Sequence, residues 1–457
     1  MRPRIPLASI ALALALAGSA RAQDAALQEL LDQAAAASPE VAQSRAAVKA
    51  ETARVPQAGA LPDPTLSLGI QNDGFRRINI GVMDTSYLNI QLTQPLPWPG
   101  KRGLREQVAA LEQQRSSARL GRAELDLEGR VRRGYLALLL ARGQIDLLAE
   151  QEQLWLQAEQ TARARYESGQ VPQSDLLRAQ LERARLQQRR WALDAELSTR
   201  IAELNRLRAR PLDQPVPTSA RLADAADPPV LPEAEAAQDA EKRSPELQLS
   251  ALGVEQAGRR LELARKERLP DFAVSAAVMP RGGLEPMWAL GLSVGLPIFA
   301  GRKQDRAVDE GAQRQIGEAQ GAEALRQVLR LRSRERLATL SALNRVNQQY
   351  RSQVLVLSAA SARSTLSQYE VGRVPFASAL EALAGYVGDR VTYLGSVADA
   401  QLIAIAQREV SLEATPSIGG GGAPGAMGSA GAKSAAAAGS QAGSVEPASS
   451  SPSTSGM

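Results

Sequence analysis

Tyr166-Glu167-Ser168-Gly169-Gln170-Val171-Pro172 and Tyr369-Glu370-Val371-Gly372-Arg373-Val374-Pro375 are two versions of one heptapeptide, 203 residues apart. Each reads as a helix end followed by a helix start. Glycine takes the left-handed C-cap conformation without penalty, and proline opens the next helix. Four further landmarks keep nearly the same offset. Ser38-Pro39-Glu40 returns as Ser244-Pro245-Glu246, and Leu61-Pro62-Asp63 as Leu269-Pro270-Asp271. Leu96-Pro97 returns as Leu296-Pro297, and Gly100-Lys101-Arg102 as Gly301-Arg302-Lys303. A near-constant offset at five landmarks marks a tandem duplication.

The duplicated unit is a helix, a β-hairpin and a pair of long helices. In the first copy, residues 23–209, Ala25, Leu27, Leu30, Leu31 and Ala34 keep the spacing of one helical face. That spacing predicts a helix to about Arg54, ended by Pro56, Pro62 and Pro64. Leu66, Leu68 and Ile70 then alternate with polar residues or Gly69, as do Leu88, Ile90 and Leu92. Period-2 patterning predicts strands near 65–71 and 86–94, the second stopped by Pro95, Pro97 and Pro99. No proline falls between Leu104 and Tyr166, a helix that would reach roughly 95 Å. Leu136, Leu139, Leu140, Gly143 and Leu147 give it a narrow apolar stripe. A return helix follows over 172–208. A Pro-rich connector, 210–233, leads to the second copy, 234–413, with strands near 272–279 and 289–296 and helices over 303–370 and 375–412.

Both chain ends read differently. Met1-Arg2-Pro3-Arg4, an apolar run from Leu7 to Ala17 and Ala20-Arg21-Ala22 make residues 1–22 a signal peptide cleaved before Gln23. That apolar run is too short for a bilayer, which needs ~20 residues. Residues 414–457 are a Gly/Ala/Ser-rich tail, expected to be disordered because it cannot bury enough apolar surface to fold.

Composition narrows the chemistry. The 457 residues include no Cys, no His and few aromatics (4 Phe, 7 Tyr, 4 Trp). Without Cys there is no disulfide, thiolate metal site or N-terminal lipid anchor, and without His no Ser-His-Asp triad or HExxH zinc site. No catalytic constellation stands out, no cofactor is implied, and the reading is of a non-enzyme. The formal charge of +5 includes three arginines of the signal peptide, so the mature chain carries about +2, too little to suggest nucleic acid as a partner. The longest apolar run of the mature body, Tyr135 to Ala141, is too short to cross a membrane as a helix.

Strands of 8–9 residues approach the ~9–11 of a tilted transmembrane strand. Phe75, Tyr87, Trp98, Phe272, Trp288 and Phe299 gather around them, as aromatics do at the interfaces of an outer-membrane barrel. The same alternation also fits soluble hairpins packed on a helix. Lipid leaves no strand edge open, and single-chain barrels begin at ~8 strands, so four strands in a membrane need partner subunits.

This organisation resembles the outer-membrane efflux protein family typified by TolC. The resemblance covers roughly 25–413. It rests on the duplicated unit, on Tyr369–Arg373 and on the Leu61-Pro62-Asp63…Gln94-Pro95-Leu96-Pro97-Trp98-Pro99-Gly100-Lys101-Arg102 stretch. It implies a mainly α protein with a small β part. The assembly would be a homotrimer whose twelve-stranded barrel in outer-membrane lipid continues as an α-helical periplasmic barrel. The implied function is a passive exit duct, docked to a periplasmic adaptor and an inner-membrane RND-type pump. The Pro-Trp-Pro-Gly-Lys-Arg form looks like members that serve heavy-metal pumps. Drug efflux or type I protein secretion is the alternative within this class. A periplasmic coiled-coil adaptor or scaffold is the alternative outside it.

The resemblance places the two quoted turns at the periplasmic tips, with Gly169, Gln170, Gly372, Arg373 and Val374 as adaptor contacts. The bland reading, that the glycines merely cap helices, is compatible. Asp175 and Arg178 lie three apart, hence on one helix face, and Ser378 and Glu381 hold the matching places. The family constricts its tip with acidic residues at the second pair of positions, so Ser378 departs from that pattern. Asp175 and Glu381 would still supply six carboxylates per trimer, a cation-favouring ring, unless they belong to an ordinary solvated face. Met83, Met279 and Met287 fall at the hairpin turns, where thioethers suit Cu(I) but also serve as gap fillers.

Overall fold

The computed structural model describes residues 25–414. The signal peptide and the tail expected from the sequence lie outside them, apart from residue 414.

Each repeat opens with two helices rather than one. Helix α1 covers 25–37 and α2 covers Pro39–Gly59, with Ser38 between them. Ser38 is extended (ψ 117°), and its hydroxyl accepts from the Val41 N–H at 3.4 Å. Proline restricts the residue before it to extended backbone, and its own missing N–H is harmless at the first helical position. The single helix expected from the apolar spacing is thereby cut in two. At the far end, Pro56 does not end α2, which runs on to Gly59. A proline in the last turns forfeits one helical bond, and Arg102 Nε donates to the Gly59 carbonyl at 2.8 Å, fixing that end. Strand β1 is Thr65–Gln71 and β2 is Tyr87–Leu96. Helix α3, Lys101–Glu167, is 67 residues long, about 100 Å at 1.5 Å per residue. Helix α4, Gln173–Leu207, returns alongside it.

The second half follows the same order. Helices α5 (Glu233–Arg243) and α6 (Pro245–Lys266) meet at Ser244, which caps Leu247 N–H at 3.2 Å as Ser38 caps Val41. Strand β3 is Asp271–Arg281 and β4 is Leu284–Gly295, longer and more tightly joined than their alternation suggested, around Gly282 at φ +65°. The long descending helix is not continuous. It divides into α7, Gln304–Gln349, a π turn, Tyr350–Val354, and α8, Leu355–Glu370. Counted through the π turn it equals α3 in length. Helix α9, Phe376–Arg408, returns. It stops short of 412 because Val410 turns left-handed (φ 51°) and the Ser411 N–H closes on the Ala406 carbonyl at 3.1 Å.

All four strands form one antiparallel sheet in the order β1-β2-β3-β4. Strand β2 passes through Pro95, which pairs with Ala273. The ladder with β1 has ended at Thr93, so a residue lacking N–H has an open side to face. The register aligns apolar residues in rows: Leu66, Leu92, Ala276 and Leu290 in one, Leu68, Ile90, Val278 and Trp288 in the next. Apart from Ala276, every one is a large side chain left exposed, up to 74% for Leu68 and Trp288. The opposite face carries Thr65, Thr93, Ser275 and Gly291, then Ser67, Gln91, Ala277 and Ala289.

Helix α3 is the hub of the molecule, packed against α2, α4, α6 and α9. Its buried residues feed three clusters along its length. One holds Leu127, Val131 and Leu138 with α1 and α4, and a second holds Leu136 and Leu147 with α9. The third surrounds Trp155, which is 1% exposed, near the turns. Among the described residues no helix is long and apolar enough to cross a membrane.

Candidate functional site

The two tip turns have the same backbone. Gly169 (φ +71°) donates to the Tyr166 carbonyl at 2.9 Å, and Gln170 reaches back to the Arg165 carbonyl at 2.8 Å. Gly372 (φ +78°) and Arg373 bond the Tyr369 and Gln368 carbonyls at 2.9 and 2.8 Å. This paired bonding satisfies carbonyls that a helix end leaves orphaned. Gly169, Gln170, Gly372 and Arg373 stand exposed, and Val374 packs against the tip cluster.

What lies behind the turns differs. Arg165 of α3 crosses to the second repeat, donates to the Tyr369 carbonyl, and lies 5.0 Å from the centre of the Tyr369 ring. That ring is buried and meets Phe376 at 5.3 Å. Burial and the nearby Asp175 carboxylate push the Tyr369 phenol above its usual value, with Arg165 opposing. The structure therefore brings Asp175, at the start of α4, close to the second repeat's turn. Arg178 and Glu381 are exposed, and Asp175 and Ser378 are half-buried. Among the described residues Asp175, Arg178 and Glu381 form no ion pair.

Three further links join the helices behind the tips, and none was singled out in the sequence. Glu159, 6% exposed, is held by Arg163 at 3.3 Å and by Arg183 of α4 at 2.6 Å. A carboxylate within the buried run Trp155, Ala158, Glu159 and Ala162 was a readable signal, since a buried charge needs a partner. Arg390 of α9 binds Glu150 of α3 and lies 5.7 Å from the Tyr386 ring. Arg351 of the π turn binds Asp227 of the connector, which holds the guanidinium well above its usual value. Tyr350 and Tyr393 meet beside it at 6.1 Å. These arginines resemble every other arginine on such helices, so only the packing reveals them.

At the base of the sheet the repeated motifs interlock. Lys101, 1% exposed, extends its ammonium into the second repeat. There it donates to the Leu269 carbonyl and Asp271 Oδ1, both at 2.9 Å, and to Glu267 Oε2 at 3.2 Å. The Trp98 N–H also donates to Asp271 at 2.7 Å, and the Trp98 ring stacks on Phe272 at 5.4 Å. Gly100 takes a left-handed backbone (φ +89°) that a residue with a Cβ would adopt only under strain. The Pro-Gly-Lys-Arg stretch of one repeat is thus a latch onto the Leu-Pro-Asp of the other. At the opposite end of the sheet Met279 and Met287 are cross-strand partners, and Met83 is exposed in the loop after β1. Among the described residues no group of three His, Cys, Asp or Glu is placed to hold a metal.

A two-faced sheet whose outer edges are unpaired among the described residues, set on helices of this length with capped tips at their far end, is a fold shared with solved outer-membrane channels. Residues 30–209 match the family model for outer membrane efflux protein. Solved structures agree in fold. The CusC channel superposes with a TM-score of 0.71 at 16% identity, over 85% of this chain and 92% of its own. The outer membrane protein VceC of Vibrio cholerae gives 0.71 at 15% identity, over 87% and 98%. The MtrE channel of Neisseria gonorrhoeae, in its open state, gives 0.69 at 18% identity, over 86% and 91%. No curated protein sequence matches the chain.

Proposed function

We propose that the mature chain is the passive exit duct of a tripartite efflux system in the outer membrane of a Gram-negative bacterium. Three copies close one twelve-stranded barrel in lipid, and their long helices continue it as a tube across the periplasm. The tips dock to a periplasmic adaptor and, through it, to an inner-membrane RND-type pump. The observation that carries this reading is the sheet: its Leu, Ile, Val and Trp rows share one exposed face, and β1 and β4 each leave one edge unpaired among the described residues. Water-exposed edges of this kind invite aggregation, whereas a shared barrel removes them. Apolar residues left exposed on the helices, among them Leu177, Leu181 and Trp191 on α4 and Val356 and Leu357 on α8, would be covered by neighbouring copies.

Heavy-metal cations are the proposed cargo. The Pro-Trp-Pro-Gly-Lys-Arg resemblance supports this, as do the carboxylates of Asp175 and Glu381 near the tips and the Met279–Met287 pair on the polar face of the sheet. Cargo would pass without being tightly held. Membrane fractionation and light scattering in detergent test the assembly: an outer-membrane trimer is expected, and a soluble or monomeric protein would refute it. Deleting the gene should raise sensitivity to heavy-metal salts more than to drugs, and the reverse pattern would move the cargo to drugs.

A further inference from the structure

A cavity of about 540 Å³ lies between the connector and helices α3, α5, α7 and α9, far from the tips. That volume falls in the ~300–1,000 Å³ range of small-molecule sites. One part of its lining is aliphatic: Leu136 and Leu139 of α3, Leu222 of the connector, Leu329 of α7 and Ile405 of α9. The other part is cationic. Five arginines line the cavity (132, 221, 243, 336 and 408) against two carboxylates, Asp227 and Asp239. Three of the five, Arg132, Arg243 and Arg408, also line an adjoining cavity of about 300 Å³, so they stand where the two spaces meet.

The ion pairs do not exhaust these cations. Arg132 is taken by Glu128, and Arg243 by Asp239 at 2.9 Å. Asp227 is occupied by Arg351, which lies outside the lining. Arg221, Arg336 and Arg408 have no carboxylate partner among the described residues. Arg336 is 4% exposed, is bonded only to the carbonyls of Ser411 and Glu413, and leaves its Nε without any partner. Glu409, Glu335 and Glu413 attract Arg336 from beyond ion-pair distance, but a buried cation with no anion in contact is still unfavourable, and an anion beside it relieves that penalty.

We propose that this cavity binds a single-chain anionic amphiphile, with its hydrocarbon chain along the Leu136–Ile405 wall and its head against Arg408 and Arg336. The head chemistry, a carboxylate or phosphate on one acyl chain, is shared by a free fatty acid and an anionic lysophospholipid. The site is independent of the cargo and of the tips, so its test does not depend on transport.

The test uses the full mature protein in a non-ionic maltoside detergent, titrated with the fluorescent fatty acid cis-parinaric acid. Saturable binding of one molecule per protomer is expected. Palmitate and lysophosphatidylglycerol are the competitors that separate the two sources, and competition by either supports the site. Arg408→Ala removes a side chain that holds no ion pair and should weaken binding roughly tenfold, as loss of one charge-assisted bond would. Ala404→Phe, which fills the cavity, should abolish binding while circular dichroism and oligomeric state stay unchanged. The proposal is overturned by non-saturable binding, by competition from zwitterionic lysophosphatidylcholine equal to that of the anionic lipids, or by Arg408→Ala binding as wild type does.

Discussion

The two tip turns share a heptapeptide and a backbone but not a neighbourhood. Around Gly169 there is open space, with no atom within 4 Å of an added Cβ. At Gly372 the same Cβ would lie 2.9 Å from Arg165 Nη2, because Arg165 has crossed from the first repeat to clamp the second. Among the described residues there is no reciprocal clamp. Gln368, which occupies the place of Arg165, bonds only the Ser364 hydroxyl on its own helix. Duplication thus conserved the turn, while packing made one copy a receiver and the other a donor.

The largest test of that asymmetry is a pair of alanines. A left-handed alanine costs roughly 1–2 kcal/mol wherever it stands. Gly169→Ala should lose only that, whereas Gly372→Ala also presses on the movable end of Arg165 and should lose more, up to about 3 kcal/mol if the guanidinium gives up its charge-assisted bond. Urea midpoints in detergent would show the gap, and equal losses would mean that Arg165 shifts aside and keeps its bond. Arg165→Ala comes next, with about 1–2 kcal/mol expected from the lost ring contact and carbonyl bond, against almost nothing for Gln368→Ala. Combining Arg165→Ala with Gly372→Ala should give less than the sum if the two share one interaction.

Smaller effects separate the two return helices. Asp175 lies in the first turn of α4, whereas α9 has no acidic residue in its first turn. Ser378→Asp should therefore stabilise α9 by ~0.3–1 kcal/mol, and Asp175→Asn should weaken α4 by a similar amount at most. On the proposed reading the first also raises cation preference in single-channel recordings, and Asp175→Asn with Glu381→Gln lowers it. An unchanged preference in both would remove these residues from the gate. The smallest effect depends on pH. Tyr369 is held neutral by burial, so its phenol titrates above the ordinary ~10 of an unfolded tyrosine. Its contribution is fully present below that value and is lost as pH rises towards the folded one. Tyr369→Phe, which removes a buried hydroxyl lacking a partner, should flatten the alkaline limb of the stability profile and leave stability at neutral pH the same or slightly higher.

Much of this was legible in the chain because local rules suffice for it. Alternation set the faces of β1 and β4, and the Gly-x-x-Pro turns set the tip backbones. Ser-Pro-Glu was legible as a repeat but not as a break, because cap and helix residues follow one another there without any gap in apolar spacing. Pro56 and Pro95 have the local signature of stops, yet both lie inside elements held by neighbours, Arg102 in one case and β3 in the other. The π turn at Tyr350–Val354 leaves no residue signature at all. Of the tip, the glycines and the acidic positions were readable, whereas Arg165, Glu150, Arg390 and Arg351 were not.

By itself, the sequence determined that the chain is two copies of one unit, where each copy turns, and which face of each strand is apolar. Those properties depend on residues a few positions apart, where backbone sterics and side-chain period act directly. Tertiary structure alone decided how the copies hold each other. Lys101 finds Asp271, Arg165 finds Tyr369, and a cavity with unpaired arginines opens between helices more than a hundred residues apart in sequence. Such partners are chosen by which helix faces meet after packing, and no local spacing encodes that choice.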